Sequence, residues 1–486
     1  MTEPPRDQMS ALLDLYRRGQ MAMAAERAEK LARRYPRAVV LWNLMGAASA
    51  SLGRLDQAER AFIRACELCP DYADAHSNVG NVFLQRQKLD EAVAAFRRAL
   101  AINADHADAH NNLGNALKAQ NKLDEAVAAY RRAIAIEPRH AAAYFNLGIA
   151  LREQNNLNEA IAAYRRVLAM QPDHVDACLN QSIALLSAGD LRAGFKGYES
   201  RWRAKGAQRF RRSAKPLWLG DSDIAGRTIL LWGDQGLGDQ IQFARYASCL
   251  SERGAQVILE VKDALVRVLS DLKGVSKVVP ASRPVADTEF DVHCPLMSLP
   301  LALGTDLSTI PPVPGITTHL KDVPRWADRL GSDAPRVGIA WSGNPQHKND
   351  HNRSIALPIF AAILSSSCTW INLQKDVSAA DRERRDILGR IRNFDGEISD
   401  FVDTAALCEN CDLVISVDTS VAHLAATLGR PVWLLLPFAA DWRWLQGRSD
   451  SPWYPSVKLY RQDRIADWGG VLDRVRADLQ GWLAAR

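Results

Sequence analysis

Along the first third of the chain, small and aromatic residues return every 34 positions, with polar residues between them at helical spacing. Gly46, Gly80, Gly114 and Gly148 share one phase, Ala58, Ala92, Ala126 and Ala160 a second, and Phe62, Phe96, Tyr130 and Tyr164 a third. Pro36, Pro70, Pro138 and Pro172 close the period, and Ala104 fills the one vacant place. A glycine lets two helices approach, the aromatic fills the space beside it, and the proline marks the turn into the next pair. The pattern therefore predicts stacked helical hairpins over 39–174, which bury together what a single hairpin cannot. Residues 5–38 keep Ala24 and Pro36, and the stretch after 175 keeps Asn180 and Leu185 with Ser182 where glycine sat, so atypical end copies are expected.

Past Tyr198 the pattern changes. A basic connector, WRAKGAQRFRRSAKPLWLG, leads into short apolar runs: RTILLW (227–232), VILEV (257–261), VSKVVP and FDVHCP. A second series follows, with PRVGIAWSGNP (335–345), TWINLQ (369–374), DLVISVD (412–418) and PVWLLLP. Runs of this length read as buried strands, and their alternation with helical stretches predicts two α/β units facing each other across a cleft. The final DWGGVLDRVRADLQGWLAA is expected to be a helix packing back across both units. The organisation is thus a repeat array over 1–206, a linker over 207–226, a first lobe over 227–330, a second over 331–460 and a C-terminal helix over 461–486.

At 486 residues, 47% hydrophobic and 24% charged, the chain is large enough for two substantial cores. The net charge of +5 is mild and dispersed, which argues against nucleic acid as the main partner. The N-terminus lacks a basic start and an apolar segment, and no apolar run reaches spanning length, so the expectation is a cytoplasmic protein with no transmembrane segment. The pairs Cys408/Cys411 and Cys66/Cys69 read as structural residues rather than a metal or redox site.

Candidate chemistry gathers at four places. Asn78, Asn112, Asn146 and Asn180 recur once per repeat, and Asn81 and Asn115 lie three residues beyond two of them. Such amides could form a ladder along an extended peptide backbone, or satisfy neighbouring helices. After the first strand, GDQGLGDQIQFARY is a glycine-rich turn into a helix. Its glycine spacing is not a dinucleotide fingerprint, and Glu260 lies inside the next strand rather than clearly beyond it, against a NAD site. Asp234 and Asp239 are the carboxylates of this turn, and Gln235 and Gln240 are expected to contact the acceptor substrate. After IAW come Ser342, Gly343, Asn344, His347, Lys348, His351 and Arg353, a supply of cations and amides for a leaving phosphate. Gln374 and Lys375 end another strand as base or ribose contacts. Asp418 ends a buried strand where Thr419 and Ser420 begin a helix whose amides and hydroxyls suit a pyrophosphate, with His423 one turn in. Asp403 is expected to cap the helix that includes Thr404, or to bind donor. Trp442, Trp444 and Trp453 are expected to expose ring faces to a sugar or base, with packing between the lobes an equal account of at least one of them.

The 34-residue pattern is that of tetratricopeptide repeats. From about Arg227 to Tyr460, GLGDQ, the WSGNP loop and SVDTSVAHLAATLGRPVW resemble bacterial glycosyltransferase family 9, the heptosyltransferase-like enzymes. The asparagine series, and more distantly the catalytic half, resemble the protein O-GlcNAc transferases. The resemblance implies an all-α tetratricopeptide superhelix followed by an α/β GT-B fold of two facing Rossmann-like lobes. It implies an inverting, metal-independent enzyme with no permanently bound cofactor, using a nucleotide-diphosphate sugar. It places Asp239 toward the acceptor as general base, with Asp234 as its rival. The family carries a lysine where Arg353 stands, which leaves open whether Arg353 or Lys348 reaches phosphate. The acceptor is then a protein or peptide held by the repeats, or a cell-surface polysaccharide or lipid-linked glycan. A repeat scaffold with a degenerate transferase half is the competing reading.

Overall fold

The computed structural model describes residues 3–204, 206, 210–316, 322–331, 335–347, 349–394 and 396–486. Contacts divide the chain into two compact units, Met1–Asn180 and Gln181–Arg486.

The first unit is all helical. Its hairpins pair Val39–Ser51 with Leu55–Leu68, Ala73–Gln85 with Leu89–Ile102, Ala107–Ala119 with Leu123–Ile136, and Ala141–Glu153 with Leu157–Met170. Helices Arg6–Arg17 and Met21–Arg34 precede them. The glycine phase has a steric cause: a Cβ on Gly80 would meet the Phe96 ring at 2.7 Å, and one on Gly114 would meet the Tyr130 ring at 2.5 Å. Gly46 and Phe62, and Gly148 and Tyr164, repeat the arrangement. A further 34-residue series sets the turn inside each hairpin, where Gly53, Gln87, Asn121 and Asn155 adopt φ of 72°, 60°, 62° and 59°. Left-handed backbone at a helix end is natural for glycine and tolerable for asparagine, which accounts for Gly53, Asn121 and Asn155 in this series but not for Gln87.

The second unit holds two wholly parallel sheets. Strands β1 (Thr228–Trp232), β2 (Gln256–Val261), β3 (Lys277–Pro280) and β4 (Val292–Pro295) lie in the order β3-β2-β1-β4. Strands β5 (Arg336–Ala340), β6 (Thr369–Asn372), β7 (Ile391–Arg392), β8 (Leu413–Val417), β9 (Val432–Leu436) and β10 (Val457–Arg461) lie in the order β10-β9-β8-β5-β6-β7. Their near-continuous apolar sequences are what strands covered on both faces require. β7 and β10 were not evident from the apolar runs: one has two residues, and the other, VKLYR, carries charges at positions that need not be buried.

Between the repeats and β1 the connector is laid on the first sheet. The Trp218 amide donates to the His293 carbonyl at 2.8 Å, the ring of Phe210 meets Trp232 edge-on at 5.6 Å, and Arg211 donates to both carboxylate oxygens of Glu260 at 2.7 and 2.8 Å. Glu260 thus ties the connector and the Val285 amide to its strand. The C-terminal helix, Trp468–Ala484, does not bridge both sheets as expected. Its buried face, Val471, Leu472, Val475 and Leu479, joins the core of the second sheet with Phe360, Trp433 and Tyr460. All eight cysteines are free thiols, and Cys408 and Cys411 lie fully inside the core. Among the described residues no helix is long and apolar enough to cross a membrane.

Candidate active site

In each sheet the chain reverses its direction of strand addition once: between β1 and β4 in the first, and between β5 and β8 in the second. Loops at the carboxyl ends of strands flanking such a point diverge and leave a crevice. Here the crevices of both sheets contribute to one cleft of about 1240 Å³, lined by segments that follow β1, β2, β5, β6, β7, β8 and β9. That volume exceeds the roughly 300–1,000 Å³ of an ordinary small-ligand pocket.

The second sheet supplies most of the cleft. Thr419 is the N-cap of the helix Ser420–Thr427, with φ −138° and ψ 169° and no side-chain cap of its own; its hydroxyl lies 3.3 Å from that of Ser416. The opening amides of this helix therefore face the cleft without a capping side chain. Across the switch point, Arg353 donates from Nη1 to the Asp418 carbonyl at 2.8 Å and from Nε to Asp350 at 3.1 Å. Its Nη2 lies so close to Gly343 that a Cβ there would come within 2.5 Å. Glycine at 343 is what admits the guanidinium. Burial pushes the Asp418 carboxyl up to about 6, and the neighbouring Asp441 adds to this. Lys375 lines the same cleft and donates to the Ser399 carbonyl at 3.0 Å. Lys348 lies outside the described residues.

From the first sheet, the helix Leu237–Phe243 brings Asp239 to the cleft. Its Oδ2 accepts from the Gly236 amide at 2.8 Å, and its Oδ1 accepts from Nη2 of Arg443. Asp239 thus caps its own helix and lines the cleft at once. Gly238 is required by the packing of this helix on the one that follows β8: a Cβ at 238 would meet Cδ2 of His423 at 2.7 Å.

Several of the expected contact residues have partners within the fold. Gln240 is buried, donating to the Gln235 carbonyl at 3.0 Å and accepting from the Lys262 amide at 2.9 Å, so its own amide is engaged within the fold. Asp234 is fully buried, paired with Arg201 at 2.9 Å and with the Met297 amide at 3.2 Å, which removes it from the reach of an acceptor. Gln374 accepts from the Trp341 and Ser342 amides at 2.6 and 3.1 Å and donates to the Ser342 hydroxyl, so it ties the ends of β5 and β6 together. Gly343 donates to Ser354 and Asn344 accepts from the Gln346 amide, and both, with Ser342 and Gln374, line the cleft. The cap of Phe401–Glu409 is Asp400; Asp403 accepts from Ser399 and from the Trp326 indole inside the fold. Thr404 lines the cleft.

Trp442, Trp444 and Trp453 do not expose ring faces. They are 4%, 1% and 1% accessible and form the packing between the sheets. A charged neighbourhood in sequence gave no information about which way the rings point. Trp444 stacks on His423 at 5.4 Å, and His423 Nδ1 lies 3.0 Å from the Tyr454 hydroxyl. Burial, with help from Arg443, lowers His423 to about 3, so the imidazole is neutral at the edge of the cleft. The residue missed entirely is Arg443, which joins Asp239 to Asp441 in the loop after β9. Its only sequence signal is a guanidinium embedded in an aromatic run beyond a strand end.

In the repeats, the asparagine amides bond mainly to one another. Asn78 donates to Asn43 and Asn146 to Asn111, each at 3.0 Å, while Asn111 donates to Asn112 at 3.2 Å. Asn180 donates to the Asp176 carbonyl of its own helix at 2.8 Å. Asn111 is buried and the others are half-buried, and part of their capacity goes to joining successive repeats.

Comparison with known proteins adds two families. Tetratricopeptide repeat models match 46–85, 80–121, 111–174 and 145–209, and glycosyltransferase family 9 (heptosyltransferase) matches 392–435. The latter segment contains β8, the turn at Asp418 and the helix after it. Protein FlbA of Caulobacter vibrioides is 24% identical over 328 residues, 61% of this chain and 54% of that protein, so the chain spans about half the length of this curated relative. Among solved structures, YrrB, described as a tetratricopeptide protein with an unusual peptide-binding site, is 22% identical over 37% of this chain and 92% of its own, with a TM-score of 0.32. PilW, described as a widely conserved type IV pilus biogenesis factor, is 20% identical over 42% and 93%, with a TM-score of 0.39. The chain joins tetratricopeptide repeats to a glycosyltransferase family 9 segment.

Proposed function

We propose that this protein is an inverting glycosyltransferase of GT-B architecture, whose two Rossmann-like lobes take a nucleotide-diphosphate sugar and pass its sugar to a hydroxyl acceptor. One observation carries the reading: within the family 9 match, the uncapped helix start at Thr419 and Ser420 meets the Arg353 guanidinium across the β5/β8 switch point. Amides at a helix start and a guanidinium are the groups that stabilise a departing diphosphate, and both are already oriented. No metal is needed to supply that positive potential.

In the reaction, Asp239 takes the proton from the acceptor hydroxyl as its oxygen bonds to the anomeric carbon. The bond from that carbon to the diphosphate breaks, and the charge passes to the phosphate oxygens beside Arg353, Thr419 and Ser420. Attack from the side of the first lobe, opposite the leaving group, inverts the centre. Lys375 and His423 stand at the rim of the donor site, the first as a cation and the second as a neutral hydrogen-bonding group.

Protein or peptide is the acceptor we favour, presented by the repeats. The amide pairing between Asn78 and Asn43, and between Asn146 and Asn111, favours a second reading of the arm, in which it recruits a partner while the transferase acts on a glycan. Incubating the purified chain with a panel of nucleotide sugars, with mass detection of modified proteins and glycans, tests both. Transfer from one donor identifies the acceptor class; failure with every donor, alongside retained protein binding, would establish the scaffold instead.

A further inference from the structure

Arg443 has a more restrained environment than a substrate-gripping arginine needs. It is 7% accessible, and its guanidinium lies over the Trp442 ring at 4.3 Å and the Phe243 ring at 5.9 Å. Nε donates to the Gln242 side chain at 3.0 Å, Nη1 to Asp441 at 2.7 Å, and Nη2 to Asp239. Every nitrogen of the fork is used. Of these acceptors, Asp239 and Gln242 project from the helix Leu237–Phe243 of the first sheet, whereas Arg443 and Asp441 belong to the loop after β9 of the second.

For Arg443 to grip a phosphate it would have to release Asp239 or Asp441, which would set that carboxylate and the phosphate side by side as like charges at the cleft. Arg353 differs in using one nitrogen on a backbone carbonyl and keeping Nη2 beside Gly343 at the cleft. The two arginines therefore divide the work. Asp239 has one oxygen tied to the Gly236 amide and the other to Arg443, so its orientation is fixed by both contacts. Each carboxylate oxygen carries two lone pairs, which leaves room for an acceptor hydroxyl.

We propose that Arg443 is a positioning residue, which aims the Asp239 carboxylate at the acceptor and makes that aim depend on the seating of one sheet against the other. The proposal rests on the transferase reading above and adds the group that sets its base. It also predicts where the effect of the group will be felt. Misplacing a reacting group by about 1 Å lowers turnover by roughly 100-fold without touching the donor contacts. Loss of Arg443 should therefore appear in kcat and leave donor binding alone.

The experiment compares wild type, Arg443→Met, Arg443→Lys and Gln242→Met, using the donor found in the panel above. Asp239→Asn serves as the inactive reference. Turnover is measured at saturating donor, and donor affinity by calorimetry with the intact nucleotide sugar. Arg443→Met should lose on the order of 100-fold in kcat with donor affinity unchanged, and Arg443→Lys, which keeps the charge but not the fork, should recover part of it. Gln242→Met leaves both ion pairs and frees only the Nε end of the fork, so a smaller fall in kcat is expected; it keeps the question answerable if Arg443→Met does not fold. Parental kcat in Arg443→Met, or in both Arg443→Lys and Gln242→Met where Arg443→Met is unfolded, would overturn the proposal. So would weakened donor binding at constant kcat, which would make Arg443 a donor contact. A wild-type chain inactive with every donor would instead overturn the transferase reading, and this inference with it.

Discussion

Replacing Gly238 by alanine tests whether the two sheets of the second unit are locked at the helix that carries Asp239. The new Cβ would stand 2.7 Å from Cδ2 of His423 and 3.4 Å from its Nε2. The imidazole has little room to retreat, because Trp444 stacks on it at 5.4 Å and the Tyr454 hydroxyl holds Nδ1 at 3.0 Å. Overpacking of this kind costs about 1–3 kcal/mol, and the greater helix preference of alanine returns about 0.5–1 kcal/mol, so a net loss of about 1–2 kcal/mol is expected. Tryptophan fluorescence during urea unfolding is a suitable assay, since Trp42 is the only one of the 13 tryptophans that precedes Gln181. His423→Ala removes the obstructing ring, so the double variant should be more stable than the sum of the single effects predicts, by about 1 kcal/mol or more. Unchanged stability of Gly238→Ala, or strict additivity with His423→Ala, would refute the claim that this contact is tight.

Asp239→Asn should lower transfer by about 100-fold or more at unchanged donor affinity, with a stability loss of about 1 kcal/mol from the weakened hold on the Gly236 amide; near-parental turnover would remove Asp239 as base. Arg353→Ala, or Thr419→Ala with Ser420→Ala, should weaken donor binding by about 1–3 kcal/mol in calorimetric titration, and unchanged affinity in both would dissolve the phosphate site. Asn146→Ala removes the donor to the Oδ1 of buried Asn111 and should cost about 1–3 kcal/mol in thermal unfolding, while paired Asn112→Ala and Asn146→Ala should raise KM for a long acceptor far more than for a small surrogate if the repeats hold it. Burial drops His423 from its ordinary 6.5 to about 3, so the unfolded chain binds a proton between these values that the folded one refuses, and stability is lost as pH falls through that window. Asp418, raised from 3.8 to about 6, acts in the opposite sense and gains stability on acidification over its own range. His423→Asn should thus show a smaller fall in urea midpoint between pH 7 and pH 5 than wild type, and equal falls would contradict a neutral buried imidazole.

What the sequence determined by itself was periodic or local. The glycine-to-aromatic spacing of the repeats could be read because each contact lies within one hairpin, at a fixed separation such as Gly114 to Tyr130. The apolar runs of β1, β5, β8 and β9 were legible because a parallel strand covered on both faces has no polar alternation to hide it. The turn at Asp418 was visible for the same reason, since a polar cluster directly follows a buried strand. Tertiary structure alone decided the rest. Whether Trp442, Trp444 and Trp453 faced solvent or core depended on the second sheet's contact with the first, and that contact buries all three. Gln240 and Gln374 are amides that accept from backbone groups of distant segments, contacts that only the folded chain creates. Arg443 and Asp239 stand 204 positions apart in the chain, and no local pattern records an ion pair across that separation. Local sequence writes helices, strands and turns because their forces act between near neighbours; a cleft made by the ends of two sheets exists only once distant segments have been brought together.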